Sequence, residues 1–152
     1  MVEVINDLLG YDGLKIIQRP DMFNFSLDST LLADFVKPLA KTKKILDLGT
    51  GNAPIPLFLS LKTNAKIIGV EIQKDVYEIA KRNIEINNLQ DQIEIINDDI
   101  KGIHKKYENS EFDLITCVEV IEHLREPWFD LNELYKKLQK KGYIYISTPN
   151  RE

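Results

Sequence analysis

The chain of 152 residues carries 24 acidic and 20 basic side chains, a net charge of −4, with 43% hydrophobic and 29% charged residues, which describes one globular domain able to bury a core. One cysteine excludes an internal disulfide, two histidines argue against structural zinc, and no apolar run reaches membrane-spanning length. With no basic-then-apolar leader a cytoplasmic location is expected, no membrane partner is expected, and an RNA partner would need a local basic patch.

Residues 1–40 read as a strap or lid segment ahead of a core at 41–152. Gln18 to Ser26 is turn-rich and holds Phe23 and Phe25, which suits a strap over a sheet edge or a lid over a ligand. Asp28-Ser29-Thr30 predicts the cap of a helix bearing Leu31, Leu32, Phe35 and Val36 and stopping before Pro38.

Lys44 to Asn52 is the most informative stretch. It reads as a buried strand running into a turn in which Gly49 and Gly51, lacking Cβ atoms, allow tight turning and close approach of a ligand. Asp47 is expected to point its carboxylate into that gap, where it suits an ammonium better than a pyrophosphate. A dinucleotide site wants Gly or Ala where this chain has Pro54, so the pattern favours S-adenosylmethionine over NAD. Asn52 is expected to cap the next helix, with Pro54 and Pro56 tolerated in its first turn.

Ala65 to Glu71 predicts a second strand. Glu71 closes it about 20 residues after the glycine turn, the spacing at which a carboxylate reaches ribose hydroxyls. A helix is expected over Lys74 to Asn87, then a strand over Gln92 to Asn97 whose end, Asp98-Asp99, suits an adenine amino group. Helix capping is the competing use of these carboxylates. A fourth strand is expected over Phe112 to Cys117, a helix over Pro127 to Lys140 stopped by Lys141-Gly142, and a fifth strand over Tyr143 to Ser147. This alternation predicts βαβ units and a parallel sheet.

Asp47, Gly49, Gly51, Glu71 and the Asp98-Asp99 pair resemble the class I S-adenosylmethionine-dependent methyltransferases, over roughly residues 44–150. The resemblance implies a Rossmann-like three-layer α/β sandwich with a mostly parallel sheet, here expected to lack the last two strands. It implies a cofactor-binding set of Asp47, Gly49, Gly51, Asn52, Glu71, Ile72, Asp98, Asp99, Ile100 and Cys117.

Two narrower resemblances divide the chain. Gln18-x-Pro20, Phe23-x-Phe25-Ser26-x-Asp28, Leu46 to Pro56 and Val70 to Gln73 resemble the bacterial tRNA (adenine-N6) methyltransferases, over residues 5–117. That family continues with Asn-Pro-Pro, whereas here Val118 stands at the Asn position and accepts no hydrogen bond from an exocyclic amine. Residues 118–152, with Glu119-x-x-Glu122-His123 and Ser147-Thr-Pro-Asn-Arg151, resemble O-methyltransferases of quinone biosynthesis and the small-RNA 3′-terminal ribose methyltransferases. In the latter, two Glu and two His hold a divalent metal. Glu119, Glu122 and His123 match three of these and would share one face of a helical turn, but with the fourth ligand absent no metal site is expected.

The chain thus reads as a composite joined near Cys117, or as a shortened enzyme. The leading expectation is methyl transfer to an RNA (tRNA-like) or hydroxyl acceptor, with His123 the candidate base. The competing expectation is a cofactor-binding module without turnover.

Overall fold

Ile45, Leu46, Asp47 and Leu48 are buried on both sides of their strand, the pattern of a central strand covered by helices on each face. The computed structural model describes residues 2–8, 13–22 and 27–149. In chain order the elements are β1 (Val4–Asp7), β2 (Lys15–Gln18), α1 (Leu27–Phe35), β3 (Lys44–Leu48), α2 (Pro54–Ser60), β4 (Lys66–Glu71) and α3 (Lys74–Ile86). There follow β5 (Ile93–Asn97), α4 (Ile100–Lys106), β6 (Phe112–Val118), a 3₁₀ turn at Ile121–His123, α5 (Pro127–Lys137) and β7 (Leu138–Ser147).

Five strands form one parallel sheet in the order β5-β4-β3-β6-β7. The order reverses between β3 and β6, where Asp47 pairs with Thr116 and Leu48 with Cys117. Ligands of open α/β sheets bind at the carboxyl ends of the strands beside such a reversal. On one face, Ile45, Ile67, Ile93 and Leu114 pack against Ala33 and Val36, Phe58 of α2, and Ala80 and Ile84 of α3. On the other, Leu46, Ile68, Val70 and Ile115 pack against Ile103 of α4 and Leu134 of α5. The result is the expected three-layer α/β sandwich.

Several boundaries differ from expectation. Helix α1 begins at Leu27, so Ser29 and Thr30 lie within it rather than capping it. Helix α5 ends at Lys137 and β7 starts at once, because Leu138 buries its side chain and pairs with Phe112. The chain then departs from regular pairing over Gln139 to Gly142, with Lys141 at φ 73°, before Tyr143 resumes opposite Leu114.

The antiparallel β1–β2 hairpin was not expected from the sequence. It forms a sheet of its own and rests on α3, burying Ile16 and Ile17. Phe23 and Phe25, the aromatics of the expected strap or lid, lie outside the described residues, as do Asn24 and Ser26 of the tRNA-methyltransferase match.

Candidate functional site

The turn after β3 places two glycines in the left-handed region, Gly49 at φ 64° and Gly51 at φ 59°. A Cβ on Gly51 would meet nothing within 4 Å, so that side of the turn is open. A Cβ on Gly49 would collide with Cγ2 of Val120, which arrives from the loop after β6. One glycine thus leaves space for a ligand, and the other makes room for the protein's own loop.

Asp47 does not project freely into the gap. It is 1% exposed, and its two oxygens are taken by hydroxyls: Thr50 Oγ1 donates to Oδ2 and Thr116 Oγ1 to Oδ1, each at 2.6 Å. The reason is physical, since a buried carboxylate without donors is too costly to keep. Burial pushes its pKa up to about 6, against the pull of the two threonine bonds, and the nearby Glu71 adds to the rise. No cationic side chain pairs with it among the described residues.

Glu71, also buried, closes β4 and grips the turn. Its Oε2 accepts from the Gly51 N–H at 3.0 Å and its Oε1 from the Gln73 N–H at 2.8 Å. Each carboxylate oxygen has two lone pairs, so both retain capacity for a hydroxyl donor. Asn97, at the end of β5, donates from Nδ2 to the carbonyls of Glu71 and Ile72 at 2.8 and 3.0 Å. That bond fixes the tip of β4, where Ile72 is largely exposed.

The two aspartates after β5 divide their roles. Asp99 is a helix cap, its Oδ1 accepting from the Lys101 N–H at 3.0 Å at the start of α4. Asp98 is half-buried, accepts from the Asp99 N–H at 2.8 Å and lies 3.8 Å from the Lys106 ammonium. Ile100, in the first turn of α4, is half-buried against the α4–α5 face. Asn52 is not the helix cap either. Ala53 takes that position at φ 71° with no side-chain bond, while the Asn52 amide donates to the Ile17 carbonyl at 3.1 Å.

Cys117 is wholly buried in β6, and desolvation, with Asp47 and Glu122 adding to it, pushes its thiol up to about 12. It is therefore neither a nucleophile nor an anion at neutral pH. The Glu119, Glu122, His123 trio does not share a helical face. Glu119 lies outside the 3₁₀ turn at φ 54°, where its N–H bonds the Ser147 carbonyl, so helical spacing does not apply to it. The His123 side chain is 78% exposed and 3.9 Å from Glu122. Among the described residues no group of three or more His, Cys, Asp or Glu is placed to hold a metal ion.

Sequence reasoning missed Thr50, Thr116, Asn97 and Val120. A signal existed for Thr116, a lone hydroxyl amid Leu114-Ile-x-Cys117 in a buried strand.

Residues 39–152 match the family model described as a methyltransferase domain. The chain belongs to that family. Among curated relatives, a ubiquinone biosynthesis O-methyltransferase of Glaesserella parasuis is 30% identical over 112 residues, covering 72% of this chain and 46% of the relative. The mitochondrial ubiquinone biosynthesis O-methyltransferase of Schizosaccharomyces pombe is 29% identical, covering 72% and 39%. The chain therefore spans less than half the length of these two relatives. Among solved structures, a SAM-dependent methyltransferase from Archaeoglobus fulgidus superposes with a TM-score of 0.67 at 21% identity, covering 82% of this chain and 52% of that one. The cyclase SpnF superposes with a TM-score of 0.70 at 19% identity, covering 77% and 42%. At these identities the structural likeness shows that this methyltransferase domain has their fold.

Proposed function

We propose that this domain binds S-adenosylmethionine across the carboxyl ends of β3, β4 and β5 and serves methyl transfer to a hydroxyl of a small-molecule acceptor. The observation that carries the reading is the pair of buried carboxylates at the carboxyl ends of β3 and β4, Asp47 and Glu71. Of these, Glu71 adds to the cost of ionising Asp47, and no cationic side chain is paired to Asp47 among the described residues. A ligand bearing an ammonium and vicinal hydroxyls supplies what this pair lacks. The donor set fits. Asp47 would hold the ammonium, Glu71 the ribose hydroxyls and Asp98 the adenine amine, with Ile72 and Ile100 flanking the ring and the open side of Gly51 admitting the backbone approach.

The bound group would supply an activated methyl on a sulfonium, so the protein is left with positioning and water exclusion. Thr50 and Thr116 hold the Asp47 carboxylate in one orientation, and Asn97 holds the tip of β4. Val120 covers the first glycine from the β6 side. His123, exposed beside the carboxyl end of β6, is the base available to an acceptor hydroxyl. A hydroxyl acceptor is supported by the names of the curated relatives and by Val118, which offers an exocyclic amine no acceptor. The test is release of S-adenosylhomocysteine from S-adenosylmethionine on adding a catechol, with an adenine-containing RNA as the comparison acceptor.

A second reading is binding without turnover, favoured by the 78% exposure of the His123 side chain, which leaves the candidate base in water. S-adenosylhomocysteine binding with no methyl transfer to any acceptor would select it.

A further inference from the structure

Helix α3 carries Asn83 in its last turn, where asparagine is a poor helix former, and ends at a second asparagine one turn on, Asn87, at its C-cap. Both side chains act as strand mimics. The Ile17 N–H donates to Asn83 Oδ1 at 2.6 Å and the Lys15 N–H to Asn87 Oδ1 at 2.8 Å. In return Asn83 Nδ2 donates to the Ile17 carbonyl at 3.4 Å and Asn87 Nδ2 to the Lys15 carbonyl at 2.7 Å. Residues two apart on a strand and four apart on a helix have nearly the same spacing, roughly 6 Å, so the two amides continue a ladder along β2. A bidentate pair between Arg82 and Glu3, both bonds 2.8 Å, fastens β1 to the same helix.

Asn83 does one thing more. It is completely buried, and its Nδ2 also donates to the Asn52 carbonyl at 2.8 Å, immediately before the left-handed Ala53. The Asn52 side chain donates to the Ile17 carbonyl as well. One amide thus joins the hairpin to the glycine turn. The turn is then held from two places on the same β4–α3 unit: Glu71 takes the Gly51 N–H, and Asn83 takes the next residue's carbonyl.

We propose that Asn83 is a positioning residue of the ligand site, which couples docking of the β1–β2 hairpin to the geometry of the glycine turn. This rests on the reading of that turn as the S-adenosylmethionine site. Removing the amide orphans the buried Asn52 carbonyl and the Ile17 N–H together. It frees the turn to relax away from Glu71, although Asn83 is completely buried and acts through the turn. Coupling of this kind is reciprocal, so a ligand that fixes the turn must also tighten the hairpin at Ile17, the rung that Asn83 holds. Asn87 is the internal contrast, since its amide bonds Lys15 and, at 2.7 Å, the Asn83 backbone carbonyl, but does not reach the turn.

The test is amide hydrogen exchange combined with calorimetry, using S-adenosylhomocysteine as probe on the full chain. In wild type, saturating probe is expected to slow exchange of the Ile17 amide at least fivefold while Lys15 changes less than twofold. Asn83→Ala is expected to weaken probe binding at least tenfold and to speed exchange at both Ile17 and Gly51. Asn87→Ala should speed exchange at Lys15 and leave affinity within twofold. Unchanged Ile17 protection on binding, or affinity within twofold in Asn83→Ala, overturns the proposal. Should Asn83→Ala not fold, wild type alone decides: in ligand-free protein under low urea the Ile17 and Gly51 amides must open together, and independent opening overturns the coupling. Joint opening in a wild type that binds no probe would reject the cofactor reading and leave the coupling standing.

Discussion

Thr116 of β6 donates its hydroxyl to Asp47 of β3 across the point where the strand order reverses, and the two residues are register partners in the parallel ladder. The bond satisfies a buried carboxylate without neutralising it. Its pKa of about 6 lies above the unfolded value of 3.8, so between those values the folded state holds more protons. The stability this group contributes is full below about pH 4 and is lost as pH rises through 6. The shift corresponds to roughly 3 kcal/mol at neutral pH.

Asp47→Asn keeps the shape and removes the charge. Its ligand-free melting temperature is expected to gain on wild type by several degrees between pH 4.5 and pH 7. A constant difference between the two proteins across that range, measured in parallel thermal scans, would show that Asp47 is not the titrating group.

Gly49→Ala meets two costs, the left-handed φ of 64° and the collision with Val120. The expected loss is about 2–4 kcal/mol in urea denaturation. Adding Val120→Ala removes the colliding methyl, so the double variant should recover part of that loss relative to the sum of the singles. Strict additivity would mean that the loop does not rest on this glycine in solution.

Val118 at the end of β6 argues against adenine-N6 transfer despite the upstream resemblance. Valine tRNA incubated with the protein and S-adenosylmethionine is expected to gain no N6-methyladenine on nucleoside analysis. Robust product would show that the residues before Cys117, not those after it, set the acceptor.

Glu119, Glu122 and His123 are not arranged as a ligand set, and Mn²⁺ titration by calorimetry is expected to show no submicromolar site. Submicromolar binding lost in His123→Ala would overturn this and favour ribose 2′-O-methylation.

The sheet was legible because four of its strands, and the second half of β7, are short apolar runs closed by a turn or a polar residue. The Asp47, Gly49, Gly51, Glu71 spacing marked the end proposed to bind the ligand. What stayed hidden depended on partners distant in sequence. Asn52 reads locally as a cap, but Ile17 claims its side chain. The hairpin's strands are four residues each, with β1 exposed throughout, so they carry little periodic signal. Leu138 reads as the last turn of a helix until Phe112 is placed beside it. Asn87 reads as the end of its helix, and nothing local to Asn83 marks it; what both amides hold becomes visible only once β2 is in place.

The most direct measurement is calorimetric titration of S-adenosylhomocysteine into wild type, Asp47→Asn and Glu71→Gln, with NAD as the control ligand. Binding to wild type and not of NAD is expected, with each variant weaker by about 1.5–3 kcal/mol, the range for hydrogen bonds to charged groups. Equal affinity in all three proteins, or binding of NAD in place of S-adenosylhomocysteine, would contradict the assignment of these two carboxylates to the cofactor.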